Sequence, residues 1–303
     1  MFSLNRSDFV FVWWGLLYEA LPFVVLGAIL SGFVERCLSR ETVARFLPRN
    51  RGLGLIISAG LGLVFPMCEC GVVPVVRRLL AKGVPASCGV AYLLAAPIVN
   101  PLVIVSTWIA FRGTSAWSVV GLRVGAGYLV AILVGLAVWK VIGERDLLRP
   151  VVAGGEATAE HSHRRGGVLL DILSIAASDF LQIGATLVLG AAIAAAINCG
   201  FSRAAMEPFA GNVWTAIPGM MALAVGLNLC SEADAFVGAS FYAFPLAAKL
   251  TFLVLGPMFD LKLLAMYTAV FRPRAIAAIC GLVLVLVFAL GVLGYFVLPT
   301  VGI

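Results

Sequence analysis

Residues 66–74 read PMCECGVVP: two cysteines flank a glutamate, two prolines bracket the three, and the surrounding stretch is almost entirely apolar. Thiolates prefer soft, polarisable centres such as Cu(I), Zn(II) or trivalent arsenic, whereas carboxylates alone prefer hard cations. A C-x-C pair can chelate one soft atom. A thiol that takes a metal gives up its proton, so binding and proton release are coupled. A small mixed ligand set also releases its cargo more readily than a closed four-cysteine structural site. A second acidic stretch, NLCSEADAF, places Cys230, Ser231, Glu232 and Asp234 in comparable surroundings. Asn100, Asp260, Lys262 and Glu19 complete the polar residues inside apolar runs. Ionisable groups within a membrane are rare and mostly functional.

The elements that position these residues are membrane helices. Of 303 residues, 62% are hydrophobic and 12% charged, against about 25% charged in soluble domains. The mean hydropathy is +1.08. Apolar runs near 20 residues recur throughout, each long enough for a bilayer core of roughly 30 Å. Backbone hydrogen bonds must close internally there, so the runs read as helices. The net charge of +6 reads as arginine-rich cytoplasmic loops rather than a nucleic-acid surface. Seven cysteines, standing singly or as one C-x-C, form no disulfide framework. The first apolar run is too long for a signal-peptide core and reads as a retained helix.

The chain repeats itself. Leu26-Gly27 in 15–36 aligns with Leu189-Gly190 in 178–200, Cys68 with Cys230, Cys70 with Glu232, Pro97 with Pro257 and Asn100 with Asp260. The polar, glycine-rich stretch 143–167 separates a first repeat (1–142) from a second (168–303). The expected elements are helices near 8–36, 86–111 and 116–142, then 168–199, 249–271 and 275–299, with interrupted segments at 52–82 and 212–248. Residues 52–66 span roughly 22 Å as a helix, too short to cross comfortably, so a re-entrant hairpin with PMCECGVVP at its tip is expected. With the linker cytoplasmic, fifteen of the 21 lysines and arginines fall inside; full crossings would put the five arginines at 36–51 outside, against the positive-inside rule. The fold expected is therefore an all-α polytopic membrane protein of two inverted repeats, each of three transmembrane helices plus one re-entrant hairpin, counted as eight segments by hydropathy. Eight plain crossings with parallel halves is the alternative.

Inverted repeats with broken helices near the midplane form a recurring transporter plan. The substrate-binding candidates are Cys68, Glu69, Cys70, Asn100, Cys230, Ser231, Glu232, Asp234 and Asp260. Soft-metal ligands would be Cys68, Cys70 and Cys230, and proton carriers Glu19, Glu232 and Asp260. Blander readings stand beside each. Buried cysteines also serve as small hydrophobes, the reading given to Cys37, Cys88, Cys199 and Cys280. Asn100 can cap a helix, Asp260 can pair with Lys262, and Glu19 can pair with an arginine such as Arg123. His161 and His163 in the linker read as incidental.

The stretch MCECGVVPVVRRLLAKGVPASCGVAYLLAAPIVNPLVIVSTWIAF (67–111) resembles the signature of the ArsP-type permeases, a family of bacterial membrane proteins. LCSEADAFVGASF (229–241), followed by LTFLVLGPMFDLKLLAMYTAVF (250–271), resembles its second-half counterpart. The resemblance implies a multi-pass protein of the bacterial plasma membrane with eight membrane segments. It implies export of trivalent organoarsenicals or, in related branches, copper or zinc, with Cys68 and Cys70 as soft-ligand candidates. Glu69 stands where many members carry a small residue, which favours a cationic substrate or proton coupling over a neutral arsenical alone. The expected function is a proton-coupled secondary exporter of a thiophilic metal or metalloid. The competing readings are an importer or channel for another small solute or cation using acidic ligands, and a membrane thiol oxidoreductase. No Walker A loop is present, so ATP hydrolysis is not expected. No cofactor and no nucleic-acid partner are expected; the partners are the lipid bilayer and a small-molecule or metal substrate, with room left for a homo-oligomer.

Overall fold

The computed structural model describes residues 6–37, 50–113, 116–143, 147–148, 168–198 and 211–301. Among them the chain is helical, apart from one isolated bridge between Leu148 and Phe271. In the first half, α1 is Arg6–Cys37, α2 Arg51–Gly60 with a 3-10 turn at Leu61–Leu63, α3 Glu69–Ala81, α4 Ala86–Ala95, α5 Pro101–Ala110 and α6 Ala116–Ala137. In the second, α7 is Val168–Asn198, α8 Val213–Leu227, α9 Asp234–Ser240, α10 Leu246–Leu255, α11 Leu261–Tyr267 and α12 Pro273–Val301. Among the described residues, four helices are long and apolar enough to cross a membrane: α1, α6, α7 and α12. His161, His163, Cys199 and most of the 143–167 linker lie outside the described residues, as does the side chain of Cys37.

The helices expected over 86–111 and 249–271 are each broken in two, a departure with a clear cause. Proline has no N–H to donate and fixes its own φ, and Pro97 and Pro257 each sit in the turn that ends the first piece. The chain then restarts. The Asn100 side chain accepts from Leu102 N at 2.9 Å and Asp260 Oδ1 from Leu263 N at 2.6 Å, each capping the second piece. Backbone bonds recur with the same spacing: Val99 N to Ala95 O and Phe259 N to Leu255 O, both 2.8 Å, then Ile104 N to Asn100 O and Leu264 N to Asp260 O, both 2.9 Å. Asn50 and Asn212 cap α2 and α8 alike, and Pro85 and Pro245 precede α4 and α10 alike.

Directions follow from contacts. Arg36 lies 3.7 Å from Asp171 and Trp13 Nε1 donates to the Val188 carbonyl at 3.4 Å, so α1 and α7 run antiparallel. A Cβ on Gly54 would meet Cys88 Sγ at 3.3 Å, and one on Gly62 would meet Ala96 Cα at 2.6 Å, so α2 and α4 run parallel. The tight turn at 82–85 reverses α3 onto α4, and α3 therefore returns toward the end where α2 began. That end gathers charge: Lys82 reaches the Glu35 carbonyl at 2.6 Å, Arg51 lies over Trp139, and Arg272 N donates to Leu147 O at 2.9 Å.

Glycines set the closest approaches. A Cβ on Gly27 would fall 2.9 Å from the Gly71 Cα, and one on its repeat partner Gly190 2.8 Å from the Lys262 Cα. α1 thus packs backbone to backbone on α3, and α7 on α11. G27A and G190A should each cost about 1–3 kcal/mol of stability through overpacking. G15A and G184A, whose added Cβ meets nothing, should not destabilise. Thermal unfolding of the purified protein checks the four variants together.

Candidate functional site

The break between α2 and α3 and the break between α8 and α9 meet in the interior. Cys68 is the extended residue that precedes α3, so Glu69 and Cys70 fall in the first helical turn. A carboxylate is least costly there, because unpaired backbone N–H groups and the helix dipole favour negative charge. Cys68, Glu69 and Cys70 are all buried. Asn100 Nδ2 donates to Met67 O at 3.4 Å, tying the start of α5 to the residue before Cys68.

On the other side, Asn228 ends α8 in the left-handed conformation, with φ 51°, a region that asparagine tolerates better than most residues. Its side chain donates to the Val225 and Gly226 carbonyls at 2.8 and 3.0 Å and accepts from Leu261 N at 2.9 Å. Asn228 thus fastens the end of α8 to the start of α11, where Lys262 points inward.

Lys262 is the centre of the site. Its Nζ lies 3.1 Å from Glu69 Oε1 and 3.6 Å from Asp260 Oδ2. It donates to the Asn228 carbonyl at 3.2 Å and lies 3.8 Å from Cys230 Sγ. Ser231 Oγ sits between two acids, 3.2 Å from Glu69 Oε2 and 3.4 Å from Glu232 Oε2. Glu232 is half-buried, and its Oε1 is buried with no hydrogen-bond partner. Glu19, half-buried on α1, lies within electrostatic reach of Cys230 and Glu232. Among the described residues, no three His, Cys, Asp or Glu side chains are arranged to hold a metal ion.

The structure thus gathers Cys68, Glu69, Cys70, Cys230, Ser231 and Asp260 around one point, with Glu232 and Glu19 at its edge. Asp234 turns away. Both its oxygens accept from Arg123 at 2.8 Å, and the same guanidinium reaches the Ser231 carbonyl at 3.0 Å and Thr107 Oγ1 at 2.7 Å. Arg123 therefore pairs with Asp234, not with Glu19. Cys88 packs with Leu55 and Ala91 and Cys280 lies in the main core, as small hydrophobes do. Sequence reading missed Arg123 and Asn228 as members of this region and placed Lys262 only beside Asp260. One signal was present: arginine and lysine in runs otherwise free of charge, where burial demands a partner.

A second buried network joins the halves nearer the charged end. Asp179 on α7 accepts from Arg78 at 2.6 and 3.0 Å and from Ser31 at 2.6 Å, while Arg77 donates to Gln182 at 2.6 Å.

An all-helical bundle with several apolar helices and charged groups held in its interior defines a membrane transport protein. The comparisons agree. The family ArsP_1, described as "Predicted permease", matches residues 8–296, and the chain belongs to it. It is 39% identical over 292 residues to UPF0718 protein YcgR of Bacillus subtilis, across 95% of this chain and 96% of that one. It is 36% identical over 271 residues, 88% of each chain, to a Streptococcus mutans protein provisionally named a two-component membrane permease complex subunit. UPF0718 protein YraQ of Escherichia coli is 25% identical over 138 residues, 45% of this chain and 38% of that one. No solved structure matches. Membership and apolar helices make this a multi-pass permease of a bacterial plasma membrane.

Removing one partner of a buried ion pair strands the other charge, at about 3–5 kcal/mol. R123M should destabilise the protein by that order, and R123M/D234N should recover most of the loss. Thermal or denaturant unfolding of the purified variants measures both.

Proposed function

We propose that this permease is a proton-coupled secondary transporter that exports a thiophilic metal or metalloid species, trivalent organoarsenicals among them. The observation that carries the reading is that Cys68 and Cys70 flank Glu69 at the start of α3, while Cys230 of the other half lies 3.8 Å from the Lys262 ammonium that Glu69 faces. Each thiol that takes a metal cation forms one metal–sulfur bond and releases one proton. Glu232, two residues from Cys230, receives it; Glu19 and Asp260 extend the set of proton carriers. Asn100 holds the cysteine turn in place. Asp234 orients Ser231 through Arg123.

The architecture we propose is two inverted repeats, residues 1–142 and 168–303 around the linker 143–167. Each has three crossings and one re-entrant hairpin, with PMCECGVVP and LCSEADAF at the tips. Two observations support it: α1 and α7 correspond in sequence yet run antiparallel, and α3 returns toward the end from which α2 started. The end rich in arginine and lysine is cytoplasmic by the positive-inside rule. The name given to the Streptococcus relative extends the proposal to a second membrane subunit as partner.

One observation favours a second reading, a permease for a small cation held by acids alone: charged contacts at the centre run through Lys262, Glu69 and Asp260. C68S/C70S separates the two. Under the thiol reading the double variant loses all substrate-dependent protection of a sensitised host, measured with arsenite, phenylarsine oxide, copper and zinc. Unchanged resistance would end that reading. Proteoliposome flux that survives C68S/C70S and falls in E232Q would establish the acidic one.

A further inference from the structure

Lys262 contributes no ligand atom to a cation, yet its ammonium occupies the position between Glu69 and Asp260 where a cation would sit. It is 1% exposed, and all its other contacts belong to its own half: Asn228, Cys230 and Asp260. Glu69 is its single contact across the halves among those at the site. Around it, Glu69, Asp260 and Glu232 supply three carboxylates against one ammonium, and Glu69 Oε1 and Asp260 Oδ2 are buried with no hydrogen bond beyond this ion pairing. Such a site is electrostatically filled by its own side chain and still short of positive charge.

We propose that Lys262 is a tethered counter-cation: it holds Glu69 while the site is empty and yields that carboxylate to a metal cation when cargo arrives. The proposal rests on the transport reading above and adds the step that occupancy controls. Losing Glu69 leaves Lys262 its contacts with Asp260, Asn228 and Cys230, so the ammonium is never stranded. The same exchange breaks the Lys262–Glu69 bridge between the halves. Cargo arrival thereby removes one of the polar contacts that join the halves at the site, beside the Ser231–Glu69 and Arg123–Asp234 contacts that remain, and so couples the fit of the halves to loading. An ammonium already in place also raises the affinity a cation needs, which excludes weakly bound cations.

The test uses the full-length protein in nanodiscs and Mn²⁺ as probe, because this hard cation reads oxygen ligands and is indifferent to the thiols. Failure of the thiol reading therefore leaves this experiment intact. By electron paramagnetic resonance, K262Q should bind Mn²⁺ about tenfold or more tightly than the wild type. K262R should remain as weak as the wild type, and E69Q in the K262Q background should abolish the gain. A folded K262Q with no gain, or a gain that survives E69Q, would overturn the proposal. Should K262Q fail to fold, the wild type answers by acetic anhydride labelling read by mass spectrometry. Labelling of Lys262 that rises with saturating Mn²⁺ supports displacement, and labelling that does not change overturns it.

Discussion

A carboxylate buried in hydrocarbon must be compensated, and the arrangement around Glu69 is built to meet that demand. Isolated charges in a low-dielectric interior cost several kcal/mol each even after relaxation. Glu69 meets the cost threefold: it sits in the first turn of α3, accepts from Ser231 and faces Lys262. Each partner is itself held from elsewhere. Asn228 fixes the start of α11, Gly190 lets α7 lie directly on the Lys262 backbone, and Arg123 holds the Ser231 carbonyl. Helix packing and site electrostatics are therefore one problem, since a shift of α7 or α11 moves the ammonium.

Corresponding positions of the two halves make matching helix contacts, while the residues at the two breaks differ. Gly135 packs where its Cβ would meet Leu55, Ser87 and Ala91; Gly291 packs where its own would meet Ile217 and Thr251. Ile217 and Thr251 are the repeat counterparts of Leu55 and Ala91. The same helix contacts are thus made twice. The two breaks, in contrast, differ in their thiols and in where the single glutamate stands. The first carries Cys68, Glu69 and Cys70; the second carries Cys230, Ser231 and Glu232 and faces the one lysine. Asn100 and Asp260 occupy matching caps, but only Asp260 has a charge to offer Lys262. The two glutamates at the breaks share Ser231, and Lys262 of α11 supplies the cation that faces Glu69.

Much of this was legible in the sequence. Hydropathy indicated the helices, and the glycines Gly27 and Gly190 aligned before either had a contact. The tip residues Cys68, Glu69, Cys70, Cys230 and Ser231 were likewise identifiable as polar groups at breaks. What was hidden depends on distances between segments far apart in the chain. Arg123 can reach Asp234 or Glu19 as far as sequence tells; only packing of α6 against the α9 break selects Asp234. Lys262 stands two residues from Asp260, which made a local pair the simplest reading and concealed its reach to Glu69, 193 positions away. The breaks after Pro97 and Pro257 were underestimated because apolar composition continues unbroken across them, while the capping that stabilises the restart is a matter of backbone geometry.

The count of charges constrains any mechanism this site can run. Arg123 and Asp234 neutralise each other, which leaves Glu69, Asp260 and Glu232 against Lys262, with Glu19 close by. In a medium that penalises unbalanced charge, that surplus calls for a proton or a cation. Under the proposed transport reading, protons and cationic cargo compete for the same oxygens. Entry of cargo and departure of protons are then two descriptions of one balance, which is the condition for exchange. In the proposed reading the thiols alone would trap a soft metal, and the carboxylates and the lysine beside them supply the competing charges that release it.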